Sequence, residues 1–288
     1  MKNRIGKWIG WIFILLHILV QIAAVVMFRT TGNYQVSYGL FAILLFSYVA
    51  GASLFGWKSM ILMNLVSAVF AFLFENTSVS IGFPFGYFEH FAAGMRIGNV
   101  PLQVGFGYYF YAFAGWLFAD LMLHNTKDAK LLKLGRPLIG SFIASAMDLT
   151  TDAINGLVLG NYDYPHGGGF FGSPLTNSLG WIFTTFVILL VWELLIIPNS
   201  GRNTENRELT PWHLQNSILL GLQVTAPLLG FLVTENTQIT DVLGYTWQSS
   251  YAYEASAMIG LLALVPAMIL GIFTYMNQKA ERKAADHE

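Results

Sequence analysis

The chain has 288 residues, of which 55% are hydrophobic and 11% charged, with a formal net charge of −1 and no cysteine. A soluble globular chain carries about 25% charged residues, so this composition points to a polytopic membrane protein, and the near-neutral balance argues against a nucleic-acid partner. Without cysteine there is no disulfide framework, no thiol nucleophile and no thiolate metal site.

A helix needs ~20 apolar residues to cross a bilayer, and stretches of that length recur along the chain. They predict an all-α bundle of eight spans: Trp8–Phe28, Tyr38–Trp57, Ser59–Asn76, Pro101–Leu123, Pro137–Gly160, Leu175–Ile197, Leu214–Thr234 and Ala252–Met276. The first follows a short basic start but has no small-residue cleavage site before Arg29, so it is read as an uncleaved helix. With both ends in the cytoplasm, the inner side holds Lys2, Arg4, Lys7, Lys58, Lys127, Lys130, Lys133, Arg136, Arg202, Arg207, Lys279, Arg282 and Lys283, and the outer side holds Arg29 and Arg96. That asymmetry follows the positive-inside rule and sets the expected orientation in the cell membrane.

A single transmembrane domain over residues 1–288 is expected, with a cytoplasmic tail at 277–288. The inner loops "HNTKDAKLLKLGR" and "NSGRNTENRELT" read as solvated connectors. The outer segments 76–100 and 161–174 are rich in Gly, Pro and aromatics, a composition that can pack into the bundle where its backbone is buried in protein. A faint echo joins "ENTSVSIGFPFGYFEH" after the third span to "ENTQITDVLGYTWQSSYAYE" after the seventh, as an internal duplication would.

Ionisable side chains inside a membrane cost ~2.5–3.5 kcal/mol each on insertion scales, so their default reading is functional. Asp120 and Glu193 fall near the inner ends of their spans, within reach of water or headgroups, and His17 reads as a packing histidine. Asp148 and Asp152 stand four apart in "SAMDLTTDAINGL", on one helix face that Thr151 and Asn155 extend. Glu75 closes the third span at the outer side. Three carboxyls in one low-dielectric cavity, with no Lys or Arg at that depth, cannot all ionise, so one is expected to hold a proton available for general acid chemistry. A polar network that only locks helices together explains the spacing equally well.

No His-x-x-x-His pair, acidic magnesium box, Walker loop, dinucleotide fingerprint or Gly-x-Ser-x-Gly elbow occurs, so neither a metal nor a cofactor is expected. Aromatics crowd the outer loops, among them Phe83, Phe85, Tyr87, Phe88, Tyr108, Tyr109, Tyr111, Tyr162, Tyr164, Phe170, Phe171 and Trp181. An interfacial belt accounts for some of them. The interleaved glycines, Gly168, Gly169 and Gly172 among them, point instead to close backbone approach, and aromatic faces beside an acid stabilise a developing carbocation.

The stretch "DLTTDAINGLVLGNYDYPHGGGFFGSPLTNSLGW" resembles the signature of the integral-membrane carotenoid biosynthesis family, which includes carotenoid 1,2-hydratases and bisanhydrobacterioruberin hydratases. The matching positions are Asp148, Asp152, Gly160, Gly168, Gly169, Phe170, Phe171, Gly172, Pro174, Asn177, Gly180 and Trp181. A second stretch resembles the family through Glu75, Gly82, Pro84, Phe85, Gly86, Val100, Pro101 and Leu102, so the motif-bearing core covers about residues 75–192. Ala153 stands where the family has proline, "GFGYYF" replaces an aromatic near the middle of the fourth span, and His90 and His166 stand where aromatics or small residues are commoner.

The resemblance implies addition of water to the terminal double bond of an acyclic polyene. Asp148 or Asp152 would be the proton donor and Glu75 the coupled carboxyl or the base that orients water, with Asn177 as a neutral hydrogen-bond partner. Asn155, Phe85, Tyr87, Tyr162, Phe170, Phe171, Trp181 and the three loop glycines would bind substrate. The expected partners are a lipid-soluble polyene, water and membrane lipids. The same acid acting without water would cyclise or isomerise a terpenoid end, and midplane carboxyls also serve proton-coupled transport.

Overall fold

The computed structural model describes residues 2–32, 34, 38–200 and 209–285. Arg202 and Arg207 of the charge pattern lie outside the described residues, as do Asp286–Glu288 of the tail and the side chains of Lys2, Arg4, Lys7, Arg282 and Lys283.

The chain is an all-α bundle. In order, the helices are α1 (Lys2–Thr31), α2 (Tyr38–Phe55), α3 (Trp57–Ile81), α4 (Leu102–Met122), α5 (Ala129–Ala153), α6 (Leu175–Val191), α7 (Pro211–Leu222), α8 (Thr225–Val233), α9 (Ser249–Ile259) and α10 (Val265–Ala285). The helices α5, α6 and α9 each run into one wide π turn, at Ile154–Val158, Trp192–Ile196 and Gly260–Leu264. Among the described residues five stretches are long and apolar enough to cross a membrane: Trp8–Thr31, Trp57–Ile81, Leu175–Asn199, Pro211–Val233 and Ser249–Glu281. The α2 helix is shorter, and α4 and α5 give up apolar character to tyrosines, glycines and acids that face the protein interior.

Several boundaries differ from the sequence reading. The α3 helix continues past Asn76 to Ile81, where Gly82 adopts the left-handed conformation (φ 79°) and its N–H caps the Ser78 carbonyl. Glu75 therefore sits within a helix rather than at its end. The α5 helix starts at Ala129 rather than Pro137, because the Asp128 carboxylate accepts hydrogen bonds from the N–H groups of Lys130 (2.7 Å) and Leu131 (3.2 Å). That converts half of the predicted solvated loop into helix. The predicted seventh span breaks into α7 and α8.

The most enclosed element is α4, where nearly every residue from Tyr108 to Leu121 is buried. Its neighbours α2, α3, α5, α6, α7 and α10 surround it. It crosses α5 closely at a glycine pair, since a Cβ on Gly140 would lie 3.1 Å from the Gly115 carbonyl carbon. That contact holds the two helices in a register that turns Tyr108 and Tyr111 toward the Asp148 end of α5. Large apolar residues such as Leu15, Ile22, Leu65, Val69 and Leu262 point outward, the inverse of a soluble bundle.

One end of the bundle carries three short antiparallel strand pairs, here called the loop end. The pair β1 (Glu89–His90) and β4 (Tyr162–Asp163) joins the two motif segments. Next to it lies β2 (Arg96–Ile97) with β3 (Val100–Pro101). The hairpin β5 (Gln238–Thr240) and β6 (Thr246–Gln248) covers the glycine-rich loop. There Phe171, with a positive φ of 52°, sets its ring 5.0 Å from that of Trp247 at a tilt of 54°. A bulky residue held in that conformation costs of order 1 kcal/mol and persists only where its surroundings enforce it.

Candidate functional site

Two sequence segments some seventy residues apart meet through the β1–β4 register, which sets His90 opposite Tyr162 and Glu89 opposite Asp163. This pairing is the local event that builds the site. It brings the last turns of α3, which carry Glu75, against the end of α5, which carries Asp148 and Asp152.

Between them lies a cavity of about 340 Å³ lined by Glu75, Asp148, Asp152, Asn155, Asn161 and Asn177, with Phe85, Phe88, Tyr108, Tyr111, Tyr162, Tyr164 and Trp181 as its aromatic walls. His90 and Thr151 complete the polar lining, and Leu40, Val104, Gly107 and Phe110 form an apolar side between α2 and α4. Volumes of this order suit a small-molecule site or one end of a longer ligand.

The three carboxyls are buried, at 5%, 7% and 2% exposure for Glu75, Asp148 and Asp152, yet their hydrogen bonding differs. Glu75 is doubly supported: the Tyr108 hydroxyl donates to Oε1 at 2.6 Å and His90 Nε2 lies 3.2 Å from Oε2. Asp152 Oδ1 accepts from the Tyr162 hydroxyl at 2.6 Å, and that hydroxyl also lies 3.0 Å from the Asp152 carbonyl. Asp148 Oδ2 is buried with no hydrogen-bond partner, as is Asp152 Oδ2. An ionised carboxylate buried without a donor or a cation is strongly penalised. The two carboxyls thus differ in support: Glu75 has two side-chain partners and Asp148 Oδ2 has none.

The walls are rigid. Tyr108 and Trp181 stack at 4.3 Å and 7°, and Tyr111 meets Trp181 edge-on at 5.1 Å. Phe85 is anchored on both sides: its N–H donates to Ser78 Oγ (2.9 Å) and its carbonyl accepts from Thr176 Oγ1 (3.1 Å). A side chain on Gly180 would collide with the Phe85 ring, so α6 approaches this wall only because that residue is glycine.

Of the residues expected from sequence, Glu75, Asp148, Asp152, Asn155, Asn177, Phe85, Tyr162 and Trp181 line the cavity. The others stand elsewhere. Tyr87 is half exposed and meets His166 edge-on at 5.4 Å, so neither reaches the carboxyls. Phe171 turns toward the β5–β6 hairpin, Phe170 meets Phe171 edge-on at 5.3 Å, and Gly172 lies beside Asp241 of that hairpin. A Cβ on Gly168 would strike the Ser173–Pro174 backbone, which makes this glycine a requirement of loop folding, whereas Gly169 has open space around it. Sequence reasoning passed over His90, Tyr108, Tyr111, Asn161 and Tyr164 as site residues. Tyr108 and Tyr111 are spaced i, i+3 on one helix, a readable signal. His90 and Asn161 depend on strand pairing that no local pattern announces.

Asp120 and Glu193 require a correction. The sequence reading set them within reach of water, whereas both are buried, at 1% and 3% exposure. Arg136 bridges them, 2.9 Å from Asp120 Oδ1 and 3.2 Å from Glu193 Oε1. The Trp116 indole donates to Glu193 Oε1 at 2.6 Å, and His213 Nε2 lies 3.2 Å from Asp120 Oδ2. The four helices α4 to α7 each contribute a side chain, so the network forms only once they pack. His17 bonds the Gly39 carbonyl (3.0 Å) and lies 3.2 Å from the Leu222 carbonyl, as a packing histidine does. Among the described residues no three His, Asp or Glu side chains converge in an arrangement that could hold a metal ion.

These features define a helical membrane protein with a buried, aromatic-walled acid cavity at one end of the bundle. The chain belongs to the carotenoid biosynthesis protein family, whose profile matches residues 10–236, and its role lies in carotenoid biosynthesis. No curated protein and no solved structure gives a significant match.

Proposed function

We propose that the protein is a hydratase of the cell membrane, with eight spans and both termini cytoplasmic, that adds water to the terminal double bond of an acyclic carotenoid. The observation that carries the reading is the cavity in which Asp148, a carboxyl without a hydrogen-bond partner, faces Glu75, a carboxyl held by Tyr108 and His90.

In this reading the polyene end slides in from the lipid phase along the apolar side at Leu40, Val104 and Gly107. Asp148 gives its proton to the less substituted alkene carbon, and the π pair becomes the new C–H bond. The tertiary cation lies against the faces of Tyr108, Tyr111 and Trp181, which stabilise positive charge. A water oxygen forms the C–O bond and releases its proton to Glu75, leaving a tertiary alcohol. Glu75 has then gained the proton that Asp148 lost, and its return through the cavity resets the site. The residues present supply every proton in this scheme without a metal or cofactor. The cavity holds only an end group, and the rest of the polyene stays in the bilayer.

The test is expression in a host that accumulates an acyclic carotene, with pigment mass spectrometry. A new pigment heavier by one water supports hydration. A new pigment of unchanged mass points to isomerisation or cyclisation by the same acid. Unaltered carotene with the protein present in the membrane overturns the proposal.

A further inference from the structure

The three side chains Asp152, Tyr162 and Tyr164 line two cavities at once. The second, of about 270 Å³, lies on the far side of them from the acid cavity, beneath the β5–β6 hairpin. Its lining is mostly loop rather than lipid-facing helix, and it sets the polar Asp163, Ser173, Thr240 and Asp241 among the apolar Phe91, Phe171 and Ile239. The hairpin over it is held in shape by Asp241, which accepts from the N–H groups of Leu243 (3.0 Å) and Tyr245 (2.9 Å) and from the Trp247 indole (2.8 Å). The partition between the cavities consists of Tyr164 and a hydrogen-bonded pair, Tyr162 with Asp152 at 2.6 Å.

We infer that this second cavity is the water inlet of the site, and that the Asp152–Tyr162 pair is its inner gate. The inference rests on the hydration reading above and assigns Asp152 a part different from that of Asp148. Each turnover consumes one water, and a polyene that enters along the apolar side of the acid cavity occupies that route. Water held at the Asp152 carboxyl stands at the wall shared by both cavities, where it can pass to the cation once Tyr162 swings aside. Substrate and water then arrive from opposite sides, so a bound polyene does not block its own nucleophile.

Two substitutions on the hairpin, Val242→Trp and Thr240→Trp, would plug the second cavity without touching the carboxyls. Each is expected to lower alcohol formation by roughly tenfold or more. The isomeric alkene should rise relative to the alcohol, since a cation deprived of water loses a neighbouring C–H proton to Glu75. A wild-type protein that makes alcohol, with plugged variants that make it at the same rate and ratio, overturns the inlet alone; a wild type that makes none overturns the hydration reading. A second measurement needs no turnover. The chain has no cysteine, so Ser173→Cys introduces one thiol into the inlet. A polar maleimide should modify it in the detergent-solubilised full chain, and adding Val242→Trp should slow that modification by about tenfold. Absence of modification, or an equal rate in the plugged variant, overturns the inlet whatever the activity.

Discussion

The two buried acidic clusters of this bundle are built from the same residue types and behave oppositely. Away from the loop end, Asp120 and Glu193 share Arg136, Trp116 and His213, and their negative charge is met by a guanidinium within 2.9 Å and 3.2 Å. At the loop end, Glu75, Asp148 and Asp152 have tyrosines and one histidine but no Lys or Arg, and they face empty space. The first arrangement is a compensated network that fastens four helices. The second keeps uncompensated acid next to a cavity, a cost that folding alone gives no reason to accept. Burial of a carboxyl is thus uninformative by itself; whether a cation satisfies it separates the two cases.

Substitutions can break that contrast. Asp148→Asn keeps the shape and removes the proton donor, and it should lower product formation by ~10²–10⁴-fold, measured by pigment analysis at equal membrane abundance. Its thermal midpoint should stay level or rise, because no native partner is lost. Arg136→Leu should do the reverse. Leaving Asp120 and Glu193 without their cation costs ~3–5 kcal/mol, so a large fall in the thermal midpoint of the purified protein is expected. Equal stability losses in the two variants would erase the distinction drawn above.

Smaller effects sharpen it. Tyr162→Phe removes the donor to Asp152, a hydrogen bond worth ~0.5–1.5 kcal/mol. A loss of roughly 10- to 100-fold in alcohol formation should accompany it, together with a changed ratio of alcohol to isomerised alkene. The smallest effect concerns Asp163, at the rim of the inlet. Burial pushes its carboxyl above the usual range, and the nearby Asp241 and Glu89 charges add to that while a Tyr164 backbone hydrogen bond opposes it. The folded state therefore binds this proton more tightly than the unfolded chain, so stability falls as pH rises from the unperturbed value of about 3.9 through the raised one. Asp163→Asn should remove that decline, seen as a flatter curve of thermal midpoint against pH.

Much of this was readable in one dimension. Apolar periodicity marked the helical columns, and the four-residue spacing of Asp148 and Asp152 put them on one face, because helical geometry is local. The fifth apolar run places the span from Pro137, but the Asp128 cap begins α5 earlier, at Ala129. The same locality explains what escaped. His90 lies fifteen residues beyond Glu75 in a loop, and only the strand register with Tyr162 returns it to 3.2 Å from that carboxylate.

Composition and pattern alone determined that this chain is an apolar helical bundle and that its costly acids sit at particular helix positions, and the family resemblance added that two motif segments belong together. Which acids would be neutralised was decided by tertiary structure, since Arg136 reaches Asp120 and Glu193 only after α4, α5 and α6 pack. Tertiary structure also decided which aromatics face the cavity and that Asp152 stands between two cavities. Hydrophobic burial is a property of each segment, whereas electrostatic compensation and empty space are properties of how the segments meet.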